Sequence, residues 1–171
     1  TLPDAMRAYH AYGTTSVFEE HGAATELIRA YKDVHAARRM TMRTGLVVSP
    51  DWSLAGGIDF DTLVERWYGW LSEPHPGDDW LRITGLMVDI DPLAENAVRR
   101  RALPYTGWAG FNYDTALPRE RAKELLIACA RHEVRVVGIW PNMLDLYDEV
   151  NRVVPIRDRR WVLGHLSALA P

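Results

Sequence analysis

Five times along this chain, a short run of apolar, β-branched or aromatic residues gives way to a stretch of helical periodicity. That alternation restricts the fold more than any other feature. A strand that rejoins its sheet through a helix lies parallel to its predecessor, and the crossover is right-handed. The pattern therefore predicts an α/β chain of parallel βα units. Strands are expected near residues 14–19, 42–49, 81–90, 134–140 and 161–165. Two architectures satisfy this: an open doubly wound sheet, whose strand order reverses in the middle, and a stretch of a (β/α)8 barrel, whose order does not.

The helices between are read from their apolar stripes. Residues 3–12 form a short helix stopped by Gly13, and residues 23–40 carry Leu27, Tyr31 and Val34 on one face. Phe60, Leu63, Val64, Trp67 and Leu71 recur at the spacing of an amphipathic helix. Pro118 opens a helix with the stripe Ala122, Leu125, Leu126 and Cys129, and Pro141 opens another that reaches Val153. Residues 73–79 are a turn, and residues 92–117 are a long connection. That connection holds Arg99 to Arg101 and the aromatic run Tyr105 to Tyr113, and insertions of such length are more often functional than filler.

Composition excludes several classes. With 47% hydrophobic and 25% charged residues, the chain has the make-up of an ordinary globular domain. A net charge of −3 argues against a nucleic-acid partner. No apolar run is long enough to cross a membrane. Cys129 is the only cysteine, which fits a reducing, cytoplasmic setting and a small buried side chain. Neither G-x-G-x-x-G nor a P-loop follows the first strand, so nucleotide binding loses support.

Polar residues gather instead where the strands are expected to end: Glu19, Glu20 and His21, then Ser49 and Asp51, Asp89 and Asp91, Asn142, and His165. Barrel active sites collect at that carboxyl rim. His10, His35, His75 and His132 precede strands and are expected on the opposite, stability face. His21 and His165 follow strands and can reach the rim, where a histidine can bind a metal or move a proton. The plainer alternatives stay open: His21 as a surface or capping residue, and His165 as a strand-end residue bonded to backbone.

The strand-end motifs carry a resemblance. P-I-R-D-R-R-W-V-L-G-H, ending on His165, resembles the sixth-strand signature of the amidohydrolase superfamily, in the amidohydrolase-3 group akin to N-substituted formamide deformylase. T-T-S-V-F-E-E-H-G is similar to the second strand of that family, T-G-L-M-V-D-I-D to its fourth, and V-R-V-V-G-I-W-P-N to its fifth. The resemblance implies a metal-dependent hydrolase on a TIM barrel, cleaving amide-type C–N bonds of a small molecule, with a divalent metal, zinc foremost. It places the family's sixth-strand histidine on His165 and its strand-four aspartate on Asp91. The neighbouring glutamate falls on Gly164, the bridging lysine on Met87, the fifth-strand histidine on Gly138 and a later aspartate on Asn142. Strands one, seven and eight of the family have no counterpart among residues 1–171, so this single partial barrel domain is expected to be completed by the same polypeptide or by a second chain in an oligomer.

Thioether and glycine cannot stand in for a bridging carbamate and an imidazole, so a standard two-metal site is not expected. Asp91 and His165 are the candidate catalytic pair, with His165 and His21 as candidate metal ligands. His21, Trp140 and Asn142 are candidate substrate contacts. The functional expectation is an amidohydrolase with a reduced site. The alternatives are a catalytically degenerate subunit or binding protein, and a metal-free lyase or hydratase on the same barrel.

Overall fold

The structure is a computed structural model that describes residues 1–23, 25–50, 52, 56–71, 77–90, 116–139 and 142–164; the side chains of residues 20–22, 25 and 68–71 lie outside that description. Its elements, in order, are α1 (Leu2–His10), β1 (Ser16–Ala23), α2 (Thr25–Ala36), β2 (Arg43–Val48), α3 (Phe60–Leu71), β3 (Leu81–Met87), β4 (Asp89–Ile90), β5 (Ala116–Leu117), α4 (Arg119–Arg131), β6 (Val136–Gly138), α5 (Asn142–Val153) and β7 (Val162–Leu163).

Strands β1, β2, β3, β6 and β7 form one sheet in that order, every pairing parallel, and β4 and β5 form a separate parallel pair. The order has no reversal, so the doubly wound alternative does not describe this sheet. The sheet is curled into a half-barrel. No helix among the described residues is long and apolar enough to cross a membrane.

Strand alternation sorts the side chains onto two faces. On the helix side, Val48, Leu86, Val88, Val134 and Val136 pack against Phe60, Val64, Leu125, Leu126, Met143 and Leu146. A second cluster on the same side joins Met6, Ala23, Tyr31, Met42 and Leu46 where α1 and α2 cover the first strands. On the concave side, Val47, Met87, Val137 and Ile139 make a separate apolar layer, with Val162 against it. All four are essentially inaccessible to solvent, as expected for the packed interior of a curled parallel sheet.

The helix stripes behave as their spacing predicts. Ala122, Leu125, Leu126 and Cys129 are all buried on α4, and Phe60 and Val64 on α3. Glu149 of α5 accepts from Lys123 at 2.8 Å and also pairs with Arg119, clamping α4 to α5 at their outer edge.

Cys129 has no exposed surface, and burial raises its thiol pKa well above the ordinary value. Reaction with a thiol reagent should therefore be at least ~10³-fold slower in the native protein than in denaturant, since access needs an opening that costs about 4 kcal/mol or more. A native rate close to the denatured one would place α4 the other way round.

Several strand limits differ from the sequence reading, each for an identifiable reason. Strand β1 runs on through 19–22 to Ala23, which pairs with Val48, so His21 lies within the strand rather than after it. The register of β1 on β2 shifts between Glu19 and Ala23. The expected strand 81–90 is broken at Val88, beyond which the chain leaves the main sheet to pair with β5.

Strand β3 also carries a bulge. Leu46 pairs with Ile83 but Val47 pairs with Gly85, leaving Thr84 as the extra residue. Ile83 and Leu86, three apart, can then both face the helices. Without the extra residue they would lie on opposite faces. Gly85 has φ +156° and its Cα lies so close to the Arg135 carbonyl that a Cβ would stand 2.8 Å from that oxygen.

Candidate functional site

The bulge decides what the concave face holds. Downstream of Gly85, Met87 turns inward while Leu86, Val88 and Ile90 turn toward the helices, and alternation puts Asp89 on the face of Met87. Asp91, two residues further on, lies outside the described residues. Asp89 is completely buried, and its Oδ1 accepts a hydrogen bond from the backbone N–H of Ile139 at 3.2 Å. It thus stands at the carboxyl end of the sheet, joining the end of β3 to the end of β6. Ser49, also buried, marks the end of β2, where its backbone N–H donates to the Ala23 carbonyl at 3.1 Å.

Gly138 does not face the interior. A Cβ there would lie 2.8 Å from the Tyr147 hydroxyl and 3.0 Å from Met143 Cγ, both on α5. The inward residues of this strand are Val137 and Ile139. Position 138, on which the resemblance places the family's fifth-strand histidine, therefore faces the helix layer. The Tyr147 hydroxyl uses the space, donating to the Val162 carbonyl at 3.1 Å and bracing β7 from behind. Burial, and then the charge of Asp89, raise the phenol pKa far above its usual range, so the group acts as a strut rather than an acid or base.

The same alternation sorts the residues of the last strand. Trp161 and Leu163 pack on the helix-side core, where the Trp161 indole N–H donates to Val134 O at 3.0 Å and its ring meets that of Tyr147 at 5.0 Å. Val162 is the residue that turns inward. Trp161 and Leu163 thus share the helix-side face rather than the concave one.

His165 itself, like Asp91 and Trp140, lies outside the described residues, as do His75, Arg99 to Arg101 and the aromatic run at 105–113. The side chain of His21 is also outside the description. Asn142 is described: it begins α5 and is exposed.

The other histidines are engaged elsewhere. His10 Nε2 lies 3.0 Å from Thr41 Oγ1, just ahead of β2, and His35 Nε2 lies 2.8 Å from Asp78 Oδ2, just ahead of β3. Both sit at strand beginnings, where stability contacts were expected. The backbone N–H of Trp80, then the His35 side chain and the N–H of Leu81, hold the Asp78 carboxyl down to about 2. His132 Nε2 reaches Asp61 at 3.3 Å.

Two residues that the sequence reading did not select for the site take part in its frame. Asp89 appeared only among the rim polar residues, although a carboxylate inside L-M-V-D-I is an unusual thing to bury. Trp52, beyond β2, donates its indole N–H to the Met87 carbonyl at 3.3 Å and packs on Phe60 and Trp67.

For a two-metal centre the described residues do not fit. Met87 occupies the inward position that the resemblance assigns to a bridging ligand, and its thioether is enclosed by Val47, Val137 and Ile139. Among the described residues, no three histidine, cysteine, aspartate or glutamate side chains come together as a metal site.

Comparison of the chain with protein-family models, with curated proteins and with solved structures finds no match.

Proposed function

We propose that this chain forms part of a TIM-type barrel of the amidohydrolase kind, hydrolysing a non-peptide, amide-type C–N bond in a small molecule. The observation that carries the reading is the curled, all-parallel sheet whose strands follow one another in sequence order, so that five consecutive strand ends open on one rim. Enzymes built this way place their reacting groups on that rim. The sequence puts Asp91 directly after β4, the short strand that follows β3, and His165 two residues after β7.

Hydrolysis needs a base to take a proton from water and an acid to return one to the departing nitrogen. Asp91 and His165 would divide those tasks, with His21, Trp140 and Asn142 contacting the substrate.

A second reading is favoured by Met87. An apolar side chain packed where a ligand would stand also suits a barrel that binds small molecules without turning them over. Both readings meet one experiment: a panel of N-acyl and N-formyl amines is offered to the purified protein and its His165→Asn variant, with metal content measured in each. The hydrolase reading expects turnover by the parent and a loss of ~10²-fold or more in the variant. Absence of turnover across the panel, or full activity of the variant, would end it. Ligand binding without turnover would support the second reading.

A further inference from the structure

We propose that Asp89 is a positioning residue: its side chain ties the start of β4, just past β3, to the end of β6 and thereby fixes the distance between these two strand ends. This rests on the hydrolase reading above. The tie has three supports.

The first is where the ladder stops. Val88 N–H donates to Val137 O at 3.1 Å as an ordinary sheet bond, and the next inward-facing residue, Asp89, accepts the Ile139 N–H with its side chain. A side chain has taken over a main-chain acceptor's place where β4 turns away to pair with β5.

The second is enclosure. Asp89 has no accessible surface, and Met87, Val137 and Ile139 of the concave layer lie beside it in sequence and register. A hydrogen bond in such surroundings is not diluted by water.

The third is the bulge. Thr84 is the extra residue, and the glycine after it allows the strand to approach the Arg135 carbonyl closely. With that extra residue, the carboxylate points inward; without it, alternation would turn Asp89 into the helix layer. The strand is distorted at one point, and Asp89 and Met87 are the residues whose facing that distortion sets.

The chain continues from this tie in two directions. Two residues past Asp89 is Asp91, and one residue past Ile139 is Trp140. A displacement of order 1 Å between reacting groups is enough to cost ~10²-fold in rate. A tie at this point therefore has leverage over catalysis without touching the substrate.

The test compares the parent protein with Asp89→Asn and Asp89→Ala, using two readouts. Asparagine keeps an oxygen that can accept the Ile139 N–H, whereas alanine does not. Hydrogen exchange at Ile139 should be slow in the parent and in Asp89→Asn, and ~10-fold or more faster in Asp89→Ala, with Val136 and Val137 less affected. On an amide substrate, kcat should fall ~10–100-fold in Asp89→Ala with KM little changed, and Asp89→Asn should restore most of it.

If Asp89→Ala does not fold, Asp89→Ser, too short to reach Ile139, carries the same comparison. Unchanged exchange in the variant lacking the acceptor would overturn the tie. Faster exchange with unaltered kcat would overturn the positioning role. Loss of kcat in Asp89→Asn as deep as in Asp89→Ala would do so too, because the charge rather than the tie would then matter. The exchange readout needs no substrate, so a protein that turns nothing over refutes the hydrolase reading while the tie itself is still measured.

Discussion

A Gly138→His protein should be less stable than the parent by about 2–6 kcal/mol and should gain no metal site. The family resemblance would make the opposite forecast, because it assigns a metal-binding imidazole to this position. The geometry sets the sign. A Cβ at Gly138 would sit 2.8 Å from the Tyr147 hydroxyl, 3.0 Å from Met143 Cγ and 3.1 Å from its Cε. Methionine can shift; Tyr147 is held by its bond to the Val162 carbonyl and by the Trp161 ring.

Overpacking of a closed core costs ~1–3 kcal/mol, and enclosing an imidazole without partners adds ~1–3 kcal/mol more. Gly138→Ala should show the first part alone. Denaturant midpoints of the two variants measure both parts. A Gly138→His protein as stable as the parent, with bound divalent metal, would mean that β6 presents its other face.

The second large effect is expected at Gly85. Replacing it by alanine should cost about 2–4 kcal/mol, although the change is a single methyl group. Its φ of +156° lies in a region that L side chains rarely adopt, and the added Cβ would approach the Arg135 oxygen to 2.8 Å. That oxygen accepts the Leu86 N–H at 2.9 Å, so relief of the clash opens a sheet bond. Backbone strain of this kind is worth ~1–3 kcal/mol and the lost bond ~1 kcal/mol.

Unfolding in denaturant gives the total, and amide exchange at Leu86 shows whether the loss is local. A change of under ~0.5 kcal/mol would show that the backbone relaxes at no cost. The contrast between sites is informative: at Gly45 a Cβ would meet only side chains, the nearest being Thr84 Cγ2 at 3.0 Å. That methyl group can move aside, whereas a carbonyl in the ladder cannot.

Periodicity in the chain was enough for the parallel βα order, for the helix stripes and for burial of Cys129. These follow from local rules, in which spacing of 2 or 3.6 residues assigns a side chain to a face. The strand-start contacts of His10 and His35 were legible for the same reason, since position along a βα unit places a residue at one end of the sheet.

Which face is which was another matter. Gly138, Trp161 and Leu163 were placed within the right strands but could not be assigned to the interior or the helix layer, because alternation supplies two faces and no labels. The label comes from partners distant in sequence: Tyr147 and Met143 behind Gly138, and Val134 behind Trp161. The bulge at Thr84 and Gly85 had a signal in the sequence, a glycine inside an apolar strand where the pattern 81, 83 changes to 86, 88, 90. Its meaning depended on the Arg135 carbonyl, which only the folded chain brings within reach. So local composition determined the elements and their order. Long-range packing alone decided that Met87 and Asp89 look inward, that Gly138 looks outward, and that a buried carboxylate holds two strand ends together.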